Sequence, residues 1–191
     1  MVRLVRIILF FLSIIPIGAE NTTFTLVSEI WPPFRISQNP GDCDDCGIDI
    51  DIINELERRL DITIEVEFCP WARALEEIKS GRSDLIIGFA YSEERAEYAS
   101  YVPVSYTSVE PVFYTHTGSG ASVGEYGDLA DKSIGLSRDS VYFEPFNSDE
   151  SLNKVYLKSE KQILDMLALG RLELAVGTNP NMAYDIARFG Y

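Results

Sequence analysis

Apolar positions along this chain keep two different spacings, and the switches between them mark out the elements. Phe24 to Glu29 alternates β-forming residues and predicts a first strand, ended by Trp31-Pro32-Pro33-Phe34. Arg35 to Gly47 is rich in Pro, Gly, Asn and Asp and predicts a loop. From Ile48 the apolar residues Ile52, Ile53, Leu56 and Leu60 recur at helical spacing. Ile62 to Phe68 alternates again as a second strand, and Pro70 opens a helix with Leu75 and Ile78 on one face. Leu85 to Gly88 is a third strand. This β-α-β-α-β order implies parallel strands joined by crossovers. Ser92-Glu93-Glu94-Arg95 starts a short helix on a capping serine, and Tyr106 to Tyr114 is extended. Beyond Gly118-Ser119-Gly120 come strands at Ser133 to Leu136 and Val155 to Leu157, and Pro180 begins a last helical stretch.

One pattern is written twice. Ala74 to Gly88 reads ALEEIKSGRSDLIIG, and Ile163 to Gly177 reads ILDMLALGRLELAVG. Each copy runs from an apolar helical face through Gly-Arg, one residue and an acid into an apolar strand closed by glycine. Gly81 and Gly170 stand where a helix end favours positive φ. The unbroken strands Leu85-Ile86-Ile87 and Leu174-Ala175-Val176 fit sheets covered on both faces. The repeat predicts two similar α/β lobes, with a cleft between them fit for a small ligand.

Residues 1–19 have the layout of a signal peptide: basic Met1 to Arg6, apolar Ile7 to Ile15, and a small-residue site at Ile17-Gly18-Ala19. The apolar run is shorter than the roughly 20 residues that span a bilayer. With no cysteine after the site to carry a lipid, the expectation is a soluble exported chain cleaved after Ala19. The balance of 16 basic against 30 acidic residues excludes a nucleic-acid binder, which needs clustered Lys and Arg. Three cysteines, Cys43, Cys46 and Cys69, predict a structural disulfide in an oxidising compartment. The expected bridge involves Cys69, which closes the longer loop; Cys43 with Cys46 is the competing pair. His116 is the only histidine, so no zinc site or Ser-His-Asp triad can be assembled. Asp42-x-Asp44 is no calcium loop, because Ile53 stands where the bidentate glutamate belongs. No metal or cofactor is expected.

Together these segments resemble family 3 solute-binding proteins, which have the type II periplasmic binding fold. The resemblance rests on Trp31-Pro32-Pro33-Phe34, Gly47-Ile48-Asp49-Ile50-Asp51, Gly81-Arg82-Ser83-Asp84-Leu85, Ser92-Glu93-Glu94-Arg95, Gly135-Leu136-Ser137-Arg138-Asp139-Ser140 and the second Gly-Arg-x-acid-Leu. It implies two mostly parallel sheets flanked by helices, lobe 1 over 20–113 and lobe 2 over 114–191. It also implies that the C-terminal return to lobe 1 is missing. The implied role is a monomeric, non-enzymatic periplasmic protein. It would capture an amino acid or related organic acid for an inner-membrane ABC permease.

By the same resemblance Arg95 matches the residue that takes the ligand carboxylate, a role suited to the guanidinium fork. The alternative is a surface pair with Glu97. Trp31 and Phe34 match the aromatic position that packs on the ligand. Trp71 would reach the same sheet edge or pack in the core, and Arg73 is a further candidate. Two departures stand out. Ala90 replaces a common hydroxyl, and Thr178 replaces the aspartate that pairs with the ligand ammonium, leaving Ser140 and Thr178 to supply neutral hydrogen bonds. A carboxylate ligand without an α-amine is therefore one expectation. The alternative functions are an enzyme similar to cyclohexadienyl dehydratase and a truncated relative that does not transport.

Overall fold

The computed structural model describes residues 22–36 and 46–191; the signal segment and Cys43 lie outside the described residues. The first sheet holds β1 (Thr23–Ser28), β2 (Thr63–Phe68) and the short β3 (Leu85–Ile86), all parallel, in the order β2-β1-β3. Helix α1 (Ile48–Leu60) joins β1 to β2, and α2 (Trp71–Lys79) joins β2 to β3. A single turn, α3 (Glu93–Ala96), follows. The side chains of β1 alternate across the sheet. Leu26 packs with Ile50, Ile53 and Ile64 beneath α1, while Val27 packs with Trp71, Ala74 and Ile78 beneath α2.

The second sheet runs β4-β7-β5-β6, from β4 (Glu110–Tyr114), β5 (Ile134–Ser137), β6 (Lys154–Leu157) and β7 (Leu174–Asn179). Its core also splits across β7: Leu174 and Val176 join Phe146 and Leu136 on one face, and Ala175 joins Ile163, Leu167 and Met182 on the other. Helix α4 (Glu160–Ala168) precedes β7, and α5 (Asn181–Phe189) follows it. The extended segment ending at Tyr114 is the strand β4, and it pairs antiparallel with β7. The chain therefore enters the second sheet by Glu110.

The duplicated stretch is the same machine part in both lobes. Gly81 and Gly170 take φ of 69° and 66°. Behind them Arg82 N donates to Glu77 O at 3.0 Å and Arg171 N to Met166 O at 2.9 Å, the backward bond that closes a helix end. The repeated acid has a matching task. Asp84 Oδ2 accepts from Thr25 N at 2.9 Å, and Glu173 Oε2 accepts from Ser133 N at 3.0 Å. Each acid, standing just before its own strand, thus clamps that strand's start to the neighbouring strand's chain.

Cysteine usage corrects one expectation. Cys69 carries a free, partly buried thiol at the end of β2, so the bridge expected to involve it is not formed. Cys46 is disulfide-bonded. Among the described residues no helix is long and apolar enough to cross a membrane, and no group of His, Cys, Asp and Glu could hold a metal ion.

Candidate functional site

Parallel strands deliver their following loops to one edge, and ligands bind at such carboxyl edges. In the first lobe that edge carries Glu29 and Trp31 after β1, Trp71 after β2, and Ala90 after β3. In the second it carries Ser137 and Ser140 after β5, Glu160 after β6, and Thr178 on β7. All of these line one cavity of about 440 Å³ between the lobes, together with Arg95 and Asp185.

Arg95 is one of the cations of the cavity wall. Ser92 caps α3 by accepting from Arg95 N at 3.2 Å, which fixes the turn that presents the side chain. The residue is only 5% exposed, and burial pulls its pKa below the ordinary guanidinium value. Its Cζ lies 4.8 Å from the Phe89 ring centroid and 5.7 Å from that of Trp71, so two aromatic faces hold it. Nη1 donates to Ala90 O at 2.8 Å, and Nη2 crosses the cleft to Asp139 O at 2.9 Å. Trp71 Nε1 donates to the same carbonyl at 3.3 Å. Asp139 presents that carbonyl from a left-handed backbone conformation, φ 62°. Among the described residues Arg95 makes no ion pair, with Glu97 or any other acid.

Six of the eight expected ligand contacts meet at the cavity: Trp31, Trp71, Ala90, Arg95, Ser140 and Thr178. Phe34 and Arg73 do not. Phe34 is buried behind Trp31, stacked at 4.9 Å between centroids, because the tight turn Trp31–Arg35 sends the two rings to different depths. The side chain of Arg73 is 58% exposed and pairs with Glu67 at 3.0 Å and Glu77 at 3.4 Å, outside the cleft.

Two further sets of groups shape the site. Arg35 and Asp49 form an ion pair at 1% and 0% exposure. Arg35 Nε also donates to Glu29 O at 2.7 Å, its guanidinium lies 5.3 Å from the Trp31 centroid, and Tyr106 donates to Asp49 Oδ1 at 2.8 Å. The pair ties the aromatic loop to the start of α1. Close approach there requires Gly47, since a Cβ would sit 2.2 Å from Phe34 O. Asp49 is therefore spent on structure.

Glu29 and Glu160 also line the cavity, as do Lys161 and Arg188. Burial pushes the Glu29 and Glu160 carboxyls up to about 7, with the Glu29 charge acting on Glu160 across the cleft. A carboxyl with a folded pKa above its unfolded one stabilises the fold while protonated. That stability is complete below about 4.5 and disappears as pH rises through about 7. At about 1.4 kcal/mol per unit, and allowing for partial exposure and mutual coupling, the unliganded protein should lose about 3 kcal/mol between pH 5 and 8. Urea denaturation at the two pH values measures this, and the double variant Glu29→Gln, Glu160→Gln should flatten the difference.

The fold has solved counterparts. A truncated, arginine-bound ArgBP from T. maritima superposes with a TM-score of 0.75 at 19% identity, covering 87% of this chain and 78% of that one. A histidine kinase sensor domain with similarity to periplasmic binding proteins gives 0.77 at 21% identity, covering 88% and 72%. The amino acid ABC transporter substrate-binding protein AbpA from Streptococcus pneumoniae, bound to L-arginine, gives 0.74 at 19%, covering 87% and 70%. These likenesses establish the two-lobed α/β architecture. A comparison with curated protein sequences finds no match. Residues 25–175 match the family described as bacterial extracellular solute-binding proteins, family 3, and with most of its length inside that match the chain belongs to this family.

Proposed function

We propose that this protein captures a small carboxylate-bearing solute, an amino acid or related organic acid, between its lobes and hands it to an ABC importer of the inner membrane. It does so as a monomer in the periplasm, after export and cleavage behind Ala19, with lobes of 20–113 and 114–191. The observation that carries this reading is Arg95: a buried guanidinium on the cavity wall with two carbonyl partners and no carboxylate. A buried charge lacking a counter-charge is costly, and a bound anion relieves that cost. Trp31 and Trp71 supply apolar walls beside it. The arginine-bound neighbours add support from related architecture.

Titration calorimetry of the purified protein with L-arginine, L-lysine, L-glutamine and glutarate tests the proposal. At least one of these carboxylates should bind at micromolar concentration. Absence of binding by all four at millimolar concentration would overturn it. Glu29 favours a second reading: a carboxyl near pKa 7 in a cavity suits a general acid, as a dehydratase needs. Conversion of a bound probe, followed by NMR, would select that reading.

A further inference from the structure

Among the described residues the chain passes between the two sheets once, through residues 100–109 after α3 and before β4. This connector is thinly held. Among the described residues no backbone group of 101–108 bonds to another backbone group, and residues 102–108 are all exposed. Two tyrosine hydroxyls fasten it to the first-sheet side of the cleft. Tyr101 donates to Ala90 O at 3.1 Å, and Tyr106 donates to Asp49 Oδ1 at 2.8 Å. The Tyr101 ring also stacks on Phe89, 5.3 Å between centroids and 2° from parallel, with Tyr91 edge-on at 5.2 Å. Each hydroxyl shares its acceptor group with an arginine of the cavity wall. Ala90 O accepts from Arg95 Nη1 as well, and the Asp49 carboxylate is paired with Arg35, which holds Glu29 O and the Trp31 ring.

We infer that Tyr101 and Tyr106 are positioning residues that pin the connector to the two arginine sites, so that the sheets turn against each other about residues 107–109 and the cleft walls return to one alignment. This rests on the reading of the cleft as a site that closes on a solute. The physical ground is the length of chain left free to turn, since a hinge is a few residues that absorb the change in φ and ψ. Without the pins, all of 101–109 can turn, and the loop after β5 meets Arg95 in many arrangements. With Tyr106 fixed on Asp49, only residues 107–109 remain before β4. Fewer arrangements before a solute arrives leave less ordering to be done when it binds.

Tryptophan fluorescence reads the alignment without a ligand, because Trp31 and Trp71 are the chain's two tryptophans and both line the cavity. In the full chain, Tyr101→Phe and Tyr106→Phe keep the rings and remove the pins. Each should raise acrylamide quenching about twofold and broaden the interlobe distances seen by small-angle X-ray scattering. Tyr126→Phe is the matched control, since Tyr126 donates to Asp149 Oδ2 at 2.8 Å and packs against the core of the second sheet. It should lower the urea midpoint and leave quenching and scattering unchanged. L-Arginine, L-lysine, L-glutamine and glutarate then serve as probes, and the one that wild type binds best should lose about fivefold in affinity in each pin variant. A folded pin variant that matches wild type in quenching and scattering overturns the inference, as does an equal rise in Tyr126→Phe. Should one pin variant fail to fold, the other decides. If no probe binds the wild type while the pin variants still open the cleft, the binding reading falls and the pins stand.

Discussion

Arg95→Ala should weaken binding of the best carboxylate probe by about 2 to 5 kcal/mol, the range found when one partner of a desolvated charge pair is truncated. The argument starts from cost. Arg95 stays in the wall with two backbone carbonyls and two aromatic faces for company, and a ligand carboxylate would complete its charge balance. Each of its two Nη groups is engaged with a backbone carbonyl, which a ligand carboxylate would exchange for a charged acceptor. Arg95→Lys should recover little, because an ammonium cannot offer parallel donors. Calorimetry reads the loss directly, and unchanged affinity in Arg95→Ala would remove the anchor from this account.

The largest effect on stability should come from Asp49→Ala. Removing the carboxylate leaves Arg35 charged in a site with 1% exposure, and orphaning one member of a buried pair costs about 3 to 5 kcal/mol. Tyr106 loses its acceptor as well. Replacing both members, as Arg35→Met with Asp49→Leu, should recover much of that loss, since the uncompensated charge disappears. Urea midpoints at constant slope measure the difference. Equal stability of wild type and Asp49→Ala would show that the pair contributes nothing net. The Trp31 loop is anchored through Arg35, so affinity should fall along with stability.

What the sequence disclosed was local. The repeat could be read because a helix end, a positive-φ glycine and an apolar strand follow one another within a few residues, and both copies fold as that pattern implies. The strand ending at Tyr114 was equally legible as extended chain. Its partner was not, because pairing with β7 joins segments more than sixty residues apart by number. Arg35 was lost in a stretch whose composition says only loop, and its pairing with Asp49 depends on how that loop closes. Of the two aromatics in the Trp31 turn, pattern alone could not tell which faces the cleft. Glu160 hid most completely: an acid in a helix's first turn has an ordinary explanation. The donor it accepts from, Asn181, stands 21 positions further on.

On the proposed reading of Arg95 as the anchor, the carbonyl of Asp139, shared by Arg95 and Trp71, would act as an entry threshold. A solute arriving at that corner exchanges one acceptor for another, and a neutral amide or hydroxyl offers no more than the carbonyl already there. Only an acceptor with a full negative charge improves on it, since charge-assisted hydrogen bonds are roughly twice as strong. Rejection of neutral solutes is thereby built into the resting molecule, without a single side chain devoted to repelling them.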